Sequence, residues 1–335
     1  MSLNFSTGLP RLLMALATAA MLGLSPAQAA VPQAPTLDAK AYLLVDVTTG
    51  QILAQDNSQM PVEPASLTKL MTAYVVFDAL KAKKINLDQT FTVSERAWRM
   101  EGSRMFIEPN MAIPVRDLLH GMIVQSGNDA TVALAEGVAG SVERFVDMMN
   151  QQAALLGMKN TAYKNPEGLT AAGHTTTAQD LALLSTRLMN DFPAYTPIYA
   201  TKHYRYPGTP AANDTNRNLL LFRDPTVDGL KTGHTEAAGY CLVATAIRPV
   251  PPRGGEGLRT RRLLSVILGA SSATSRATES QKLLNWGYSN FELVTVAKAD
   301  AALTTARVWK GQTKMAALGV KGGLAVTVPT GSSDK

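Results

Sequence analysis

The chain has 335 residues, 46% of them hydrophobic, and its 32 Lys and Arg against 26 Asp and Glu give a formal charge of +6. That length suits one sizeable domain and a small one. One cysteine, Cys241, excludes an internal disulfide. Metal-ligand spacings, phosphate-binding glycine loops and basic-aromatic nucleic-acid patterns are missing from the sequence, so no metal, cofactor or nucleic acid is expected.

Taken in chain order, residues 1–29 read as a secretory signal: Arg11, an apolar stretch over 12–24, then the small residues Ala27-Gln28-Ala29. The apolar stretch falls short of the roughly 20 residues that a membrane span needs, so cleavage and export, with a mature start at Ala30, are expected. The mild positive charge would draw an exported protein towards anionic envelope polymers and the membrane surface. With no disulfide, stability rests on the core, and Cys241 in the apolar run 240–247 reads as a buried structural thiol.

Residues 42–47 and 51–54 alternate about Thr48-Thr49-Gly50 like an antiparallel hairpin. Pro64 biases Glu63 towards an extended backbone, and Ser66 then opens a run with Leu67, Leu70, Met71, Tyr74, Val75 and Phe77 at helical spacing. Helical patterns recur over 115–125, 129–138, 142–156, 178–190 and 278–287, and strands are expected over 239–247 and 262–269. Between those strands, 248–262 carries Arg253, Arg259, Arg261 and Arg262 among prolines and glycines and reads as a solvated loop. This order predicts an α+β domain over 30–290, an antiparallel sheet whose edges come from both ends of the domain, flanked by helices. From 291 to 335 short runs rich in Val, Thr and Gly begin a small all-β C-terminal module, which ends on a polar tail and reads as incomplete.

Three motifs stand in order: Ser66-Leu67-Thr68-Lys69, Ser126-Gly127-Asn128 and Lys231-Thr232-Gly233. Each is a weak signal alone, but their order and setting point to acyl transfer through a serine ester. Ser66 and Lys69, three apart on a helix, would share one face. A serine hydroxyl needs a base, and a lysine stripped of water or crowded by a second cation, here Lys231, is neutral enough to serve. Gly127 permits a tight turn that presents Ser126 and Asn128 to a cleft, although a helix cap accounts for both residues equally well. Lys231, Thr232 and Gly233 should form an edge strand on which an extended peptide can add, with Gly233 allowing close approach.

Pro64-Ala65-Ser66-Leu67-Thr68-Lys69-Leu70-Met71-Thr72, Gln125-Ser126-Gly127-Asn128-Asp129-Ala130 and Asp228-Gly229-Leu230-Lys231-Thr232-Gly233-His234-Thr235 resemble the three boxes of the low-molecular-mass penicillin-binding D-alanyl-D-alanine carboxypeptidases. Asn165-Pro166-Glu167-Gly168-Leu169, Asn216-Arg217-Asn218 and the segment from Glu279 to Gly287 extend the resemblance over nearly the whole mature chain. It implies the serine β-lactamase/D,D-peptidase fold and a periplasmic enzyme that removes the terminal D-alanine of peptidoglycan stem peptides and is acylated by penicillins. It further implies that Ser66 is the nucleophile, that Ser126 relays a proton and that Asn128 orients Lys69 and the substrate. Lys231, Thr232 and Arg217 would bind the terminal carboxylate, and the backbone amides of Ser66 and His234 would form the oxyanion hole.

The family's longer β domain and amphipathic anchor helix are not complete in this sequence, which leaves membrane attachment open. Glu167 occupies, by order in the chain, the loop that carries the deacylating glutamate of class A β-lactamases; it is a candidate base for deacylation, against a solvent-facing loop residue or a partner for a nearby cation. The rival readings are a serine β-lactamase and a penicillin sensor or envelope-binding scaffold without turnover.

Overall fold

The computed structural model describes residues 32–250 and 259–332. The predicted signal and the middle of the arginine-rich loop, Arg253 included, lie outside the described residues. The N-terminal hairpin forms as β1 (Ala41–Asp46) and β2 (Gln51–Asp56). A 3-10 turn over Ala65–Thr68 leads into α1 (Lys69–Lys81), and a small hairpin pairs Thr90–Thr92 with Ala112–Pro114. The helices α2 (Val115–Ile123), α3 (Asn128–Ala139), α4 (Val142–Leu156) and α5 (Ala178–Asp191) follow. The domain returns through β3 (Val227–Thr235), β4 (Gly239–Val250), β5 (Arg259–Ala270) and α6 (Ala273–Asn290).

The strands make one antiparallel sheet in the order β2-β1-β5-β4-β3, so the two ends of the domain meet at its centre and β3 is an edge. Helices cover both faces. Leu43 and Val45 of β1 join Val243 and Val266 in the larger core with α1, whereas Leu44, Leu242, Leu263 and Ile267 pack with Leu283 and Leu284 of α6. A strand buried on both faces has no polar face to show, which is why β1 and β5 read as nearly continuous apolar runs. Helix α1 goes further than the one-faced pattern expected of it: almost every residue from Lys69 to Leu80 is buried, and the helix runs through the interior.

The basic stretch departs from the solvated loop expected of it. Strands β4 and β5 continue to Val250 and back from Arg259. Beyond Ile247, β4 pairs only with β5, so Pro249 faces no second ladder and is tolerated. Arg248 pairs with Asp224 at 2.9 Å, Arg262 with Asp228 at 2.7 Å, and Arg261 is buried against Asp46 at 2.6 Å.

The C-terminal residues form β6 (Phe291–Ala297), β7 (Ala302–Arg307), β8 (Met315–Gly319) and β9 (Leu324–Pro329), pairing as β6 with β9 and β7 with β8. Strand β9 is tied to the N-terminal hairpin through Thr327, whose hydroxyl donates to Asp46 at 2.6 Å and whose backbone N–H and C=O both bond the Gln51 amide. Cys241 is buried, its thiol pushed up in pKa by that burial, as expected of a structural thiol.

Candidate active site

Ser66 does not sit on the α-helix expected of it. It lies in the 3-10 turn, after Ala65 at φ +46°, and Lys69 is the first residue of α1. In 3-10 geometry residues three apart eclipse, and this brings Lys69 Nζ to 3.0 Å from Ser66 Oγ. The lysine is only 1% exposed. Its other partners are neutral: Asn128 Oδ1 at 2.7 Å and the Glu167 carbonyl at 2.6 Å. Burial pulls its pKa down to about 7; Glu167 and Asp129 hold it up, and Arg217 pushes it lower.

Arg217 is the cation that acts on the Lys69 pKa, and Lys231 in turn is acted on by Lys69. The Lys231 pKa is driven well down, first by burial and then by Lys69, Arg217 and Arg276. Lys231 Nζ donates to Ser126 Oγ at 3.0 Å and to the Thr232 carbonyl at 2.9 Å. Ser126 is held in the turn between α2 and α3 at φ +60°. Asn128, the first residue of α3, donates through Nδ2 to the Glu101 carbonyl at 2.6 Å, fixing the amide so that its oxygen faces Lys69.

Ser66, Ser126, Thr232, Gly233, His234 and Arg217 line one cleft of about 410 Å³. Gly233 has a second role besides admitting a ligand: a Cβ there would stand 3.2 Å from Leu67 N and from the Pro64 carbonyl, so the glycine lets the edge strand pack on the nucleophile's turn. His234 is exposed and stacks on Tyr240 with centroids 4.0 Å apart. Arg217 donates to Ser103 Oγ at 2.6 Å.

Three contributors escaped the sequence reading. Arg276 of α6 lines the cleft, donates to the Gly233 carbonyl at 3.0 Å and has its pKa pushed down to about 10 by burial. Asp129, fully buried, accepts from the backbone N–H of Met105 and Phe106, each at 2.8 Å, and so fixes the loop that carries Ser103. His174 Nε2 meets Thr68 Oγ1 at 2.9 Å, behind the 3-10 turn. Asp129 follows the second motif directly and could have been suspected from its place in the first turn of α3; Arg276 and His174 had no local signal.

Of the readings of Glu167 the exposed one fails, while two nearby cations, Lys69 and Arg96, do act on its carboxyl. The residue is 6% exposed, so it is no solvent-facing loop residue. Glu167 lines a separate cavity of about 250 Å³ with Arg96, Glu143, Asp147 and Lys164, and is not among the residues lining the Ser66 cleft. What it offers the site directly is its backbone carbonyl.

The arrangement leaves little chemical latitude: a hydroxyl whose proton has a lysine to go to, beside an edge strand, in a cleft that gathers cations. That is a serine acyl-transfer enzyme of the D,D-peptidase fold.

Comparison with known proteins gives the same answer in finer terms. The family described as D-alanyl-D-alanine carboxypeptidase matches residues 28–272, and the C-terminal domain of penicillin-binding protein 5 matches 291–335. The D-alanyl-D-alanine carboxypeptidase DacC of Escherichia coli (strain K12) is 44% identical over 306 residues, covering 89% of this chain and 73% of the relative. Penicillin-binding protein 5 of Haemophilus influenzae superposes with a TM-score of 0.81 at 38% identity, over 90% of this chain and 86% of that one. Penicillin-binding protein D2 of Listeria monocytogenes, solved in its ampicillin-bound form, gives 0.66 at 30% identity over 77% and 100%. The chain belongs to the D-alanyl-D-alanine carboxypeptidase family of penicillin-binding proteins, as a serine-type peptidase.

Proposed function

We propose that this carboxypeptidase removes the terminal D-alanine of peptidoglycan stem pentapeptides outside the inner membrane, after export and loss of residues 1–29. The observation that carries the mechanism is the 3.0 Å contact between Ser66 Oγ and a buried Lys69 that has no carboxylate in contact. The peptide adds to the edge of β3, its free carboxylate held by Thr232, Arg217 and Lys231, with Arg276 beneath; guanidinium and hydroxyl groups suit that anion. Lys69 takes the Ser66 proton as Oγ attacks the penultimate carbonyl, and the amides of Ser66 and His234 receive the oxyanion. Ser126, bonded to Lys231, passes a proton to the departing D-alanine amine, and water then hydrolyses the ester. β-Lactams acylate the same serine, in keeping with the ampicillin-bound relative. The comparisons lend no support to the β-lactamase or sensor alternatives.

Release of free D-alanine from a pentapeptide ending in D-Ala-D-Ala, together with covalent labelling by a fluorescent penicillin, tests this reading. Ser66→Ala should abolish both; a labelled Ser66→Ala band would sink it. Mass spectrometry of the exported protein should find Ala30 at the amino terminus, and residues upstream of Ala27 would refute the cleaved signal. Among the described residues no helix is long and apolar enough to cross a membrane.

A further inference from the structure

The Glu167 carboxyl sits in an unusual position. One of its oxygens is sealed from solvent and has no hydrogen-bond partner, although the rest of its loop is clamped. Asn165 accepts from Gly168 N at 2.7 Å, Thr72 donates to the Pro166 carbonyl at 2.6 Å, and the Glu167 carbonyl receives Lys69. The loop therefore cannot move Glu167 away from Lys69 without breaking its bonds to Thr72 and Lys69. The cavity that Glu167 lines is wide enough for several waters.

We propose that Glu167 is a positioning residue that acts on Lys69, its charge setting the pH at which the lysine can take the Ser66 proton. The charges around Lys69 single it out. Asp129, from α3, is saturated by backbone N–H groups and has no freedom to respond. Arg217, from the segment before β3, is tied to Ser103, and Lys231 of β3 is tied to Ser126. Glu167 alone of this set keeps an unbonded carboxyl oxygen.

Sharing the cavity with Glu167 are Arg96 from the one-turn helix Glu95–Trp98, Glu143 and Asp147 from α4, and Lys164 from its own loop. Arg96 is shared, since it also bonds Glu143 at 2.7 Å. Burial raises the Glu167 pKa while Lys69 and Arg96 draw it down, so the carboxyl and the amine respond to each other's protons. Desolvation and Arg217 lower the basicity of Lys69, and the Glu167 carboxylate raises it again, towards the neutral range where a general base works best.

This inference rests on Lys69 being the base, and the test separates the two. Acylation by a chromogenic penicillin is measured from pH 4.5 to 9 in wild type, Glu167→Gln, Glu167→Asp and Arg96→Gln. Removing the carboxylate's charge favours neutral Lys69, so the ascending limb of Glu167→Gln should move to lower pH by about one unit. Glu167→Asp should return it towards wild type. Arg96→Gln, which leaves the carboxyl harder to ionise, should move it the same way by less, and this variant also covers the case of a Glu167→Gln chain that does not fold. An unmoved limb in folded Glu167→Gln overturns the proposal, as does an unmoved limb with slowed loss of the penicillin label, which would give the carboxylate to the deacylating water. Failure of the underlying reading looks different: Lys69→Ala would then acylate normally, whatever Glu167 did.

Discussion

Lys69 under the cleft and Arg261 under the C-terminal module are both cut off from solvent, and they meet burial in opposite ways. Arg261 is paired: its Nε donates to Asp46 at 2.6 Å and its Nη1 to the Phe291 carbonyl at 2.8 Å, with Thr327 completing the carboxylate's shell. Lys69 is bonded only to a hydroxyl, an amide oxygen and a carbonyl. A guanidinium beside a carboxylate stays charged and fixes structure; an ammonium among neutral acceptors can part with its proton and do chemistry. The charge of the partner, not the depth of burial, separates a strut from a base.

The sharpest way to break that comparison is to give the cleft a cation that cannot deprotonate. Lys69→Arg should lower penicillin acylation about 10⁴-fold, the upper range for a lost general base, although the positive charge remains. Retained acylation would mean that charge alone serves.

At the other site, Asp46→Ala leaves Arg261 buried and unpaired. It should destabilise the fold by about 3 to 4 kcal/mol in urea unfolding, with acylation per folded molecule unchanged. A loss of acylation in the folded fraction would show that the two sites are coupled.

Gly168→Ala tests how firmly the loop behind Lys69 is seated. Gly168 has φ +92°, and an added Cβ would fall 1.9 Å from the Ala65 carbonyl. About 2 to 3 kcal/mol of stability should be lost in thermal unfolding, together with at least tenfold of acylation.

The smallest effect concerns His174, whose pKa burial pushes down to about 4. The unfolded chain binds this proton near pH 6.5, so the native state loses stability as pH falls from there towards 4. Wild type should lose about 2 kcal/mol more than His174→Gln between pH 7 and pH 5 in urea titrations.

Much of the fold was legible because local signals agree with the tertiary outcome. The hairpin of β1 and β2, the helix starts after Ser141 and Thr177, each of which caps its helix through the side chain, and the strand of Lys231 are all written in residues a few positions apart. The errors came where a local signal was overruled from a distance. Pro249 and the neighbouring glycines read as the end of a strand, yet β4 pairs on with β5, and the arginines there meet acids up to 215 residues away. Ser66 and Lys69 were paired correctly by spacing but on the wrong helix type, since the 3-10 turn is set by Ala65 and by the close approach of Gly233.

By itself the sequence determined which residue types meet in the cleft: a hydroxyl, two lysines, an amide and a glycine on an edge strand, in an order that periodicity could place on helix, turn and strand. Only the tertiary structure decided their protonation and their facing. Arg276 enters the cleft from the helix after β5, Glu167 turns its carbonyl to Lys69 while the residue lines a cavity of its own, and Arg217 acts on the base from the segment before β3. The physical reason is that a pKa and a side chain's direction depend on what lies within a few ångströms in space, and in this sheet those neighbours come from both ends of the chain.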